Sequence, residues 1–304
     1  MMTNRPAVGV MKRTIFSARQ QAFWELTKPR ISLMVLVTIV VAGFVGASGA
    51  PDGWLLWHVA FGMFMVAASG NAMNMYLERY TDFLMPRTAK RPLPDQRLSA
   101  RDVAMFAAIC FGVGIGYLAT TLNWQTTVCA AATWLLYVFV YTPMKTRTWL
   151  NTEVGALAGA LPVVAGSLAT SGGMNWYSLA LFLVLVLWQF PHFMAIAWMY
   201  RDQYREGGLQ MLTVVEPTGV SAGRKAVALA VGTWLVSLMP VLGLGVGTAA
   251  MWFAGLATVA GLYYLIASIR FARERDDRTA WQLLRVSVIY LPIYLILLVA
   301  ICLH

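Results

Sequence analysis

The sequence predicts an all-α, polytopic integral membrane protein with nine transmembrane helices. Of its 304 residues, 59% are hydrophobic and 12% are charged, whereas soluble domains carry about 25% charged residues. The mean hydropathy is +0.65. Apolar runs of about 20 residues, long enough to cross a bilayer as helices, recur from Ile31 to the C-terminus. These observations exclude a soluble globule and favour one membrane domain.

The links between the apolar segments alternate in character. Links without Lys or Arg alternate with longer, basic links. The predicted spans are 31–50, 54–77, 102–121, 125–142, 151–171, 177–200, 224–246, 249–269 and 282–302. Residues 1–30 are predicted to form a cytoplasmic N-terminal arm, and residues 31–304 a single transmembrane domain.

The distribution of basic residues supports the count of nine spans. With nine spans, all 23 Lys and Arg residues fall on one side of the membrane. Cytoplasmic loops carry an excess of Lys and Arg, so the N-terminus is predicted to lie inside and the C-terminus outside. The same distribution explains the formal net charge of +10 without a nucleic-acid partner. No cleavable signal pattern is present. The plasma (inner) membrane of a bacterial cell is the predicted location, with the mitochondrial inner membrane as the alternative.

The first polar motif lies at the end of the second span. Asn74, Glu78 and Asp82 are spaced four residues apart, which places them on one face of a helix. Carboxylate and amide oxygens are suited to Mg²⁺ held together with substrate phosphates. Basic residues surround this motif: Arg79, Arg87, Lys90, Arg91 and Arg97. Metal-binding acids beside phosphate-binding bases indicate a diphosphate site; the alternative is a solvated helix end with a basic topology signal.

Two further polar sets lie on the same predicted side. Asp202 and Glu206 are four apart at the end of span 6, beside Arg201 and Arg205. Their likeness to the first motif hints at an internal duplication. The segment 141–151 adds Lys145, Arg147 and Asn151. Two facing half-sites above a membrane cavity would suit an enzyme that ionises an isoprenyl diphosphate, because cations stabilise the departing diphosphate.

Four segments carry a resemblance to a known family. They are ELTKPR (25–30), NMYLERYTDFLMPRTAKRPLP (74–94), YTPMKTRTWLNTEVGALAGALP (141–162) and WQFPHFMAIAWMYRDQYREGG (188–208), and SVIYLP (287–292) extends them. The chain resembles the intramembrane UbiA prenyltransferases, and among them the members that farnesylate haem b. The resemblance implies a nine-helix fold, Mg²⁺ as cofactor, farnesyl diphosphate and haem b as substrates, and haem O as product. It also raises haem A synthase or an oxidase assembly factor as partners within the lipid bilayer.

The polar motifs and the resemblance together predict roles for residues. Asn74, Glu78, Asp82, Lys145 and His192 are expected to be catalytic. Asn74, Glu78 and Asp82 are expected to hold metal together with Asp202 and Glu206. The residues expected to bind substrate are Lys28, Arg30, Arg87, Lys90, Arg91, Arg147, Tyr200, Arg201 and Tyr204. The chain departs from the family pattern at Glu78, where Asp is usual, at Tyr80, and at Gln203, where the usual acid is displaced by one position to Asp202.

His192 has three interpretations that the sequence leaves open. It could ligate haem iron, act as a base for water addition, or form a structural hydrogen bond beside Pro191. His58 and His304 are expected to have no role. Two other functions also remain: a UbiA-type enzyme with another aromatic acceptor, and a transporter whose buried acids relay protons or ions. The three cysteines form no CxxC or Cys/His cluster, so neither a disulfide framework nor structural zinc is predicted.

Overall fold

The computed structural model describes residues 17–245 and 247–303. In these ranges the chain is helical and contains no β-strand, and nine helical segments are long and apolar enough to cross a membrane. The prediction of an all-α protein with nine such helices is therefore confirmed. The helix that ends at Glu274 and the helix that begins at Asp277 both extend beyond the spans predicted from the sequence, into the basic link between those two spans.

The elements follow one another with short connections. In chain order they are α1 (Ala18–Leu26), α2 (Pro29–Ala47), α3 (Gly53–Leu77), α4 (Arg79–Leu84), α5 (Ala100–Thr121), α6 (Trp124–Leu135), a π-helical segment (Leu136–Tyr141), α7 (Thr142–Met144), α8 (Asn151–Ser171), α9 (Trp176–Met199), α10 (Arg201–Glu206), α11 (Leu212–Val215), α12 (Val220–Ser237), α13 (Val241–Leu244), α14 (Thr248–Glu274) and α15 (Asp277–Cys302). The π-helical segment joins α6 to α7, so these three elements form one membrane span.

Successive membrane helices alternate in direction, which brings the basic links together at one end of the bundle. This polar end consists of α1, α4, α10, α11 and the links 85–99, 145–150 and 207–219. Hydrogen bonds join the links to one another: the Gln210 amide donates to the Lys145 carbonyl at 2.6 Å, and Asn151 Nδ2 donates to the Gln210 carbonyl at 3.1 Å. The polar end is therefore a connected layer rather than a set of independent loops.

Small residues allow the membrane helices to approach closely. A Cβ added at Gly166 in α8 would lie 2.6 Å from the carbonyl oxygen of Ile39 in α2, and one at Gly114 in α5 would lie 3.0 Å from the carbonyl oxygen of Gly62 in α3. Glycine at such positions lets backbones pack directly against one another. The α2–α8 contact is one such close approach.

Side-chain caps fix where several membrane helices begin. Ser99, Asn123, Asn175 and Asp276 are the N-cap residues of α5, α6, α9 and α15, and each side chain accepts a hydrogen bond from the backbone N–H three residues on. Such a cap stabilises a helix by about 1 kcal/mol. Each cap also ends the preceding link at a defined residue.

Part of the predicted N-terminal arm is packed against the bundle. Ala22 and Leu26 of α1 are buried in a cluster with Ala72 and Met75 of α3 and Val103 of α5. Residues 1–16 lie outside the described residues. The described part of the arm thus contributes a surface helix, and the turn that follows it reaches the polar end.

Candidate active site

A cavity of about 260 Å³ opens at the polar end. Its walls come from α2, α3, α4, the π-helical segment, α8, α9 and α10, and from the links that follow α4, α7 and α10. The polar residues that line it are Lys28, Asn74, Glu78, Asp82, Arg87, Thr88, Arg91, Tyr137, Tyr141, Lys145, Asn151, Thr152 and Tyr204. Ile31, Phe193 and Ile196 are among the apolar lining residues, so the cavity joins a charged region to the apolar interior.

The three residues of the first polar motif lie together on one wall. Asn74 occupies the last turn of α3, Glu78 stands at the junction of α3 and α4, and Asp82 lies in α4. Helical hydrogen bonds continue across the junction, from the Glu78 amide to the Asn74 carbonyl at 2.9 Å and from the Asp82 amide to the Glu78 carbonyl at 2.8 Å. Because the helical path is preserved, the spacing of four keeps all three side chains on the cavity face.

Three cations pair with this wall. Arg91 Nη1 lies 2.6 Å from Asp82 Oδ2 and 3.6 Å from Glu78 Oε2. Lys145 Nζ lies 2.6 Å from Glu78 Oε1, and Lys28 Nζ donates to Asn74 Oδ1 at 2.7 Å. Acids and bases therefore neutralise one another in the free protein, and each cation is within reach of an anion that enters the cavity.

Lys28 reaches the cavity from a strained turn between α1 and α2. Its backbone is left-handed, with φ 47° and ψ 64°, a conformation that costs a non-glycine residue about 1–2 kcal/mol. The Thr27 carbonyl accepts hydrogen bonds from Ser32 Oγ at 2.6 Å and from Asn71 Nδ2 at 3.0 Å. These two bonds hold the turn, and the turn directs the lysine to Asn74.

The charges in the cavity perturb one another's pKa values. Burial, together with the charge of Arg91, lowers the pKa of Lys28 to about 7. Burial opposes ionisation of Glu78, but Lys145 and Lys28 outweigh it and hold the pKa of Glu78 below its usual value. Burial raises the pKa of Asp82 in spite of Arg91. Burial also opposes the charge on Lys145, but Glu78 and the neighbouring tyrosines outweigh it and raise the pKa of Lys145.

The wall suits a divalent cation held jointly with a substrate. Asp82 Oδ1 is buried and has no hydrogen-bond partner among the residues that the structure describes, which is costly unless the oxygen gains a ligand. Within the ranges that the structure describes, no three His, Cys, Asp or Glu side chains come together as a complete metal site. Two carboxylates and an amide oxygen provide the hard ligands that Mg²⁺ takes together with phosphate oxygens. The residues therefore fit a Mg²⁺ ion that binds with a diphosphate.

Arg87 lines the cavity and contacts two tyrosines, of which Tyr204 also lines it. Arg87 Nη2 donates to Tyr204 Oη at 3.3 Å, and its guanidinium lies 4.6 Å from the centre of the Tyr200 ring. The backbone amide of Arg87 donates to Gln203 Oε1 at 3.3 Å. Gln203, where the chain departs from the family pattern, therefore joins α10 to the basic link 85–99 through its side-chain oxygen.

The structure does not bring Asp202 and Glu206 to the cavity, which corrects the expected second metal set. Both side chains are exposed, and Asp202 Oδ1 pairs with Arg205 at 3.0 Å. In α10, Tyr204 is buried against the cavity, and a residue two positions away on a helix points about 200° away from it. Because Tyr204 faces the cavity, Asp202 and Glu206, each two positions from it, face outward.

Four of the expected substrate-binding cations also lie outside the cavity lining. Arg30, Lys90 and Arg147 are exposed. Arg201 pairs with Asp277 at 2.9 Å and stacks on Trp198, which joins α10 to α15. In this structure, none of these four side chains is among the residues that line the cavity.

His192 contacts α15 rather than the cavity wall. Its Nδ1 lies 2.8 Å from Ser287 Oγ, and its ring stacks on Trp188 with centroids 5.1 Å apart. Ser287 Oγ donates to the Leu284 carbonyl at 2.6 Å. Since the serine proton is committed to that carbonyl, His192 Nδ1 must be the donor, which leaves the lone pair of a neutral imidazole on Nε2. His58, at the other end of the bundle, bonds Tyr117 at 2.8 Å, and His304 lies outside the described residues.

Five polar lining residues were not among the expected catalytic, metal-binding or substrate-binding residues: Thr88, Tyr137, Tyr141, Asn151 and Thr152. Tyr137 and Tyr141 stack with centroids 5.4 Å apart, and Lys145 Nζ lies 4.6 Å from the centre of the Tyr141 ring. Their spacing of four, the same as in the first motif, was a signal in the sequence. Asn151, which the sequence placed in the polar set with Lys145, is buried; both Nδ2 hydrogens are donated to carbonyls, and Oδ1 has no partner among the described residues.

A bundle of membrane helices with a diphosphate-type cavity at one end defines an intramembrane enzyme of lipid diphosphates. The chain belongs to the UbiA prenyltransferase family, whose model matches residues 35–296, and it is a prenyltransferase. It is 40% identical over 279 residues to the protoheme IX farnesyltransferase of Solibacter usitatus, covering 88% of this chain and 94% of that protein. It is 41% identical over 284 residues to the protein of the same name from Rhodopirellula baltica, covering 90% and 97%.

Solved structures share the fold. A digeranylgeranylglyceryl phosphate synthase superposes with a TM-score of 0.79 at 17% identity, covering 94% of this chain and 99% of that chain. A UbiA homologue from Archaeoglobus fulgidus, bound to GPP and Mg²⁺, superposes with a TM-score of 0.68 at 16% identity, covering 91% and 99%. The helical architecture is thus that of this family of membrane enzymes.

Proposed function

We propose that the protein transfers the farnesyl group of farnesyl diphosphate to a vinyl group of haem b, with addition of water, to give haem O and diphosphate. One observation carries the reaction type: the Asn74–Glu78–Asp82 wall faces Lys28, Arg91 and Lys145 in a cavity that continues into apolar surface. The choice of farnesyl diphosphate and haem b rests on the relatives that bear that name and cover most of this chain.

The diphosphate would bind where the ion pairs now lie. Arg91 and Lys145 each hold a carboxylate of the acidic wall, and they would exchange these carboxylates for phosphate oxygens. The carboxylates and Asn74 Oδ1 would then be free to hold Mg²⁺. Bound there, Mg²⁺ would neutralise charge that develops on the leaving diphosphate. Arg87, which also lines the cavity, would contact the diphosphate as well.

Chemistry proceeds at the border between the charged and apolar regions. The bond between C1 of the farnesyl group and the diphosphate oxygen breaks, and the terminal vinyl carbon of haem b bonds to C1. The resulting cation on the inner vinyl carbon is stabilised by the porphyrin and captured by water, which loses a proton. Phe193 and Ile196 line the apolar side of the cavity and would keep other water from the allylic cation.

The setting of the reaction completes the proposal. The chain is a multi-pass membrane protein, and we propose that it lies in a bacterial plasma membrane with the polar end in the cytoplasm. Residues 31–304 would act as a single catalytic domain. Haem A synthase or an oxidase assembly factor, which would accept the product, is the partner class that fits this chemistry.

Product analysis tests the proposal directly. Purified protein in lipid is incubated with farnesyl diphosphate, Mg²⁺ and either haem b or 4-hydroxybenzoate, and the products are separated and weighed by mass spectrometry. We expect a porphyrin heavier by one farnesyl group and one hydroxyl group, formed only when Mg²⁺ is present. Prenylated 4-hydroxybenzoate with unchanged haem b would assign the enzyme to another acceptor. Movement of protons or ions without either product would favour the transporter.

A further inference from the structure

Thr142 is a buried residue that contacts the acidic wall from behind. It lies where the π-helical segment ends and α7 begins, and its side chain is almost fully covered. Its Oγ1 donates to the Tyr137 carbonyl at 2.8 Å. The backbone N–H of Thr142 bonds to the same carbonyl. Thr142 therefore closes the wide π-helical turn through two hydrogen bonds to a single acceptor.

The same hydroxyl contacts Asn74. Asn74 Nδ2 lies 3.2 Å from Thr142 Oγ1 and donates to it. A hydroxyl has one proton and two lone pairs. Since the Thr142 proton is committed to the Tyr137 carbonyl, the hydroxyl can only accept at its other contacts, so the nearest atom of the asparagine amide must be its nitrogen.

This contact determines which way the Asn74 amide points. With Nδ2 held by Thr142, the carbonyl oxygen Oδ1 faces Lys28 Nζ at 2.7 Å and the cavity. A flipped amide would set its NH₂ group against the lysine ammonium and its oxygen against the lone pairs of the threonine. Both contacts would be lost, and the cavity would present a donor where a cation needs an oxygen.

We propose that Thr142 is a positioning residue that holds the Asn74 amide with its oxygen in the cavity, ready for a divalent cation that binds with a diphosphate. The inference rests on the proposed function, because the cation and the diphosphate belong to it. Groups that orient metal ligands from behind typically change metal affinity by about 10–100-fold when they are removed. The side chain itself would touch neither the cation nor the substrate.

Two substitutions separate the hydroxyl from the shape of the side chain. Thr142→Val keeps the branched shape and removes the hydroxyl, whereas Thr142→Ser keeps the hydroxyl. Thr133→Val is the matched control, because Thr133 lies in the same span and its hydroxyl also donates to a backbone carbonyl, that of Cys129 at 2.7 Å, outside the cavity lining. Thermal unfolding of each variant in lipid reports whether the bundle is intact.

The readout is binding rather than turnover. Mn²⁺ is the probe, and its bound fraction is measured by electron paramagnetic resonance in the presence of a non-reacting thiodiphosphate analogue of farnesyl diphosphate. We expect Thr142→Val to weaken Mn²⁺ binding about tenfold or more, while Thr142→Ser and Thr133→Val stay within about twofold of the parent protein. Unchanged binding in Thr142→Val, or equal losses in the Ser and Val variants, overturns the inference.

An Asn74→Asp background distinguishes orientation from a general effect on folding. A carboxylate has oxygen at both positions, so its orientation cannot matter, and adding Thr142→Val should then change Mn²⁺ binding little. An equal loss in both backgrounds would show that Thr142 acts through the fold and would overturn the inference.

If the parent protein bound no Mn²⁺ with the analogue, the metal-dependent part of the proposed function would be wrong as well. If it bound Mn²⁺ but left haem b unchanged, only the proposed acceptor would be wrong.

Discussion

Asp82 is the residue with the strongest demand for a ligand. One of its carboxylate oxygens pairs with Arg91, and the other is buried without a partner in the described part of the chain. We predict that Asp82→Asn lowers farnesyl transfer at saturating Mg²⁺ by at least about 100-fold, the scale at which loss of one charge-stabilising group acts on a reaction. Product formation measures this change. Glu78→Gln is expected to behave similarly, because Glu78 holds Lys145 and faces the same cavity.

Asp202→Asn is the control for Asp82→Asn. Asp202 is exposed and pairs only with its neighbour Arg205, and exposed pairs contribute about 0–1 kcal/mol. Transfer and its Mg²⁺ dependence should stay close to those of the parent protein, also when Glu206→Gln is combined with it. A clear loss of Mg²⁺ affinity in the double variant would show that Asp202 and Glu206 do help to bind the metal.

Near-normal turnover in Asp82→Asn would show that Asp82 has only a structural role.

His192 is predicted to serve the acceptor rather than the diphosphate. It does not line the cavity. Its Nδ1–H donates a hydrogen bond to Ser287 Oγ, so the lone pair of the neutral ring lies on Nε2. We predict that His192→Ala loses haem b affinity and product formation but retains binding of a farnesyl diphosphate analogue. Titration of haem b by its absorption spectrum and binding of the labelled analogue measure the two separately.

Ser287→Ala tests the tautomer of His192. Without Ser287 to accept from Nδ1, either nitrogen can carry the proton, so haem b affinity should fall less than in His192→Ala. Unchanged haem b spectra and affinity in His192→Ala, together with lost analogue binding, would move His192 to the diphosphate site or to a purely structural role.

At the scale of elements, helix α8 carries a glycine on which the cavity depends. A Cβ at Gly155 would lie 2.6 Å from Cε2 of Tyr141, the ring beside Lys145. Gly155→Ala is therefore predicted to displace Tyr141 and lower transfer, although alanine in a helix is otherwise favoured by about 1 kcal/mol. Gly112→Ala is the matched control, because a Cβ there meets no atom within 4 Å. Transfer rates and thermal unfolding of both variants check this, and equal rates would show that transfer does not depend on the position of the Tyr141 ring.

The elements also show what could be predicted from the sequence. The spacing of Asn74, Glu78 and Asp82 predicted a shared face correctly, because the helical path continues from α3 into α4. The same spacing misled at Asp202 and Glu206. A spacing of four says that residues share a face, but the face that points inward is decided by packing, and in α10 Tyr204 occupies it.

Other parts of the site depend on contacts that no local pattern reveals. The π-helical segment Leu136–Tyr141 precedes Lys145 and lies within an apolar run that predicts only a regular helix. The left-handed turn at Lys28 depends on Asn71 and Ser32, which lie on two different helices. Apolar length determined the nine helices, whereas these details depend on tertiary hydrogen bonds.

At the scale of the whole molecule, the nine helices and the basic residues together determine orientation. An odd number of spans places the two termini on opposite sides of the membrane, and all 23 Lys and Arg residues belong to the N-terminal side. Each basic residue close to an anionic membrane surface contributes about 1 kcal/mol, so the polar end should face the cytoplasm.

We therefore predict that a reporter fused after His304 reports the outside of the cell, and that one fused in the link 145–150 reports the cytoplasm. Paired alkaline phosphatase and fluorescent-protein fusions measure this, since the former is active only outside and the latter only inside. An active cytoplasmic reporter after His304 would mean that one of the nine helices does not span. The side of the membrane on which the cavity opens would then depend on which helix does not span.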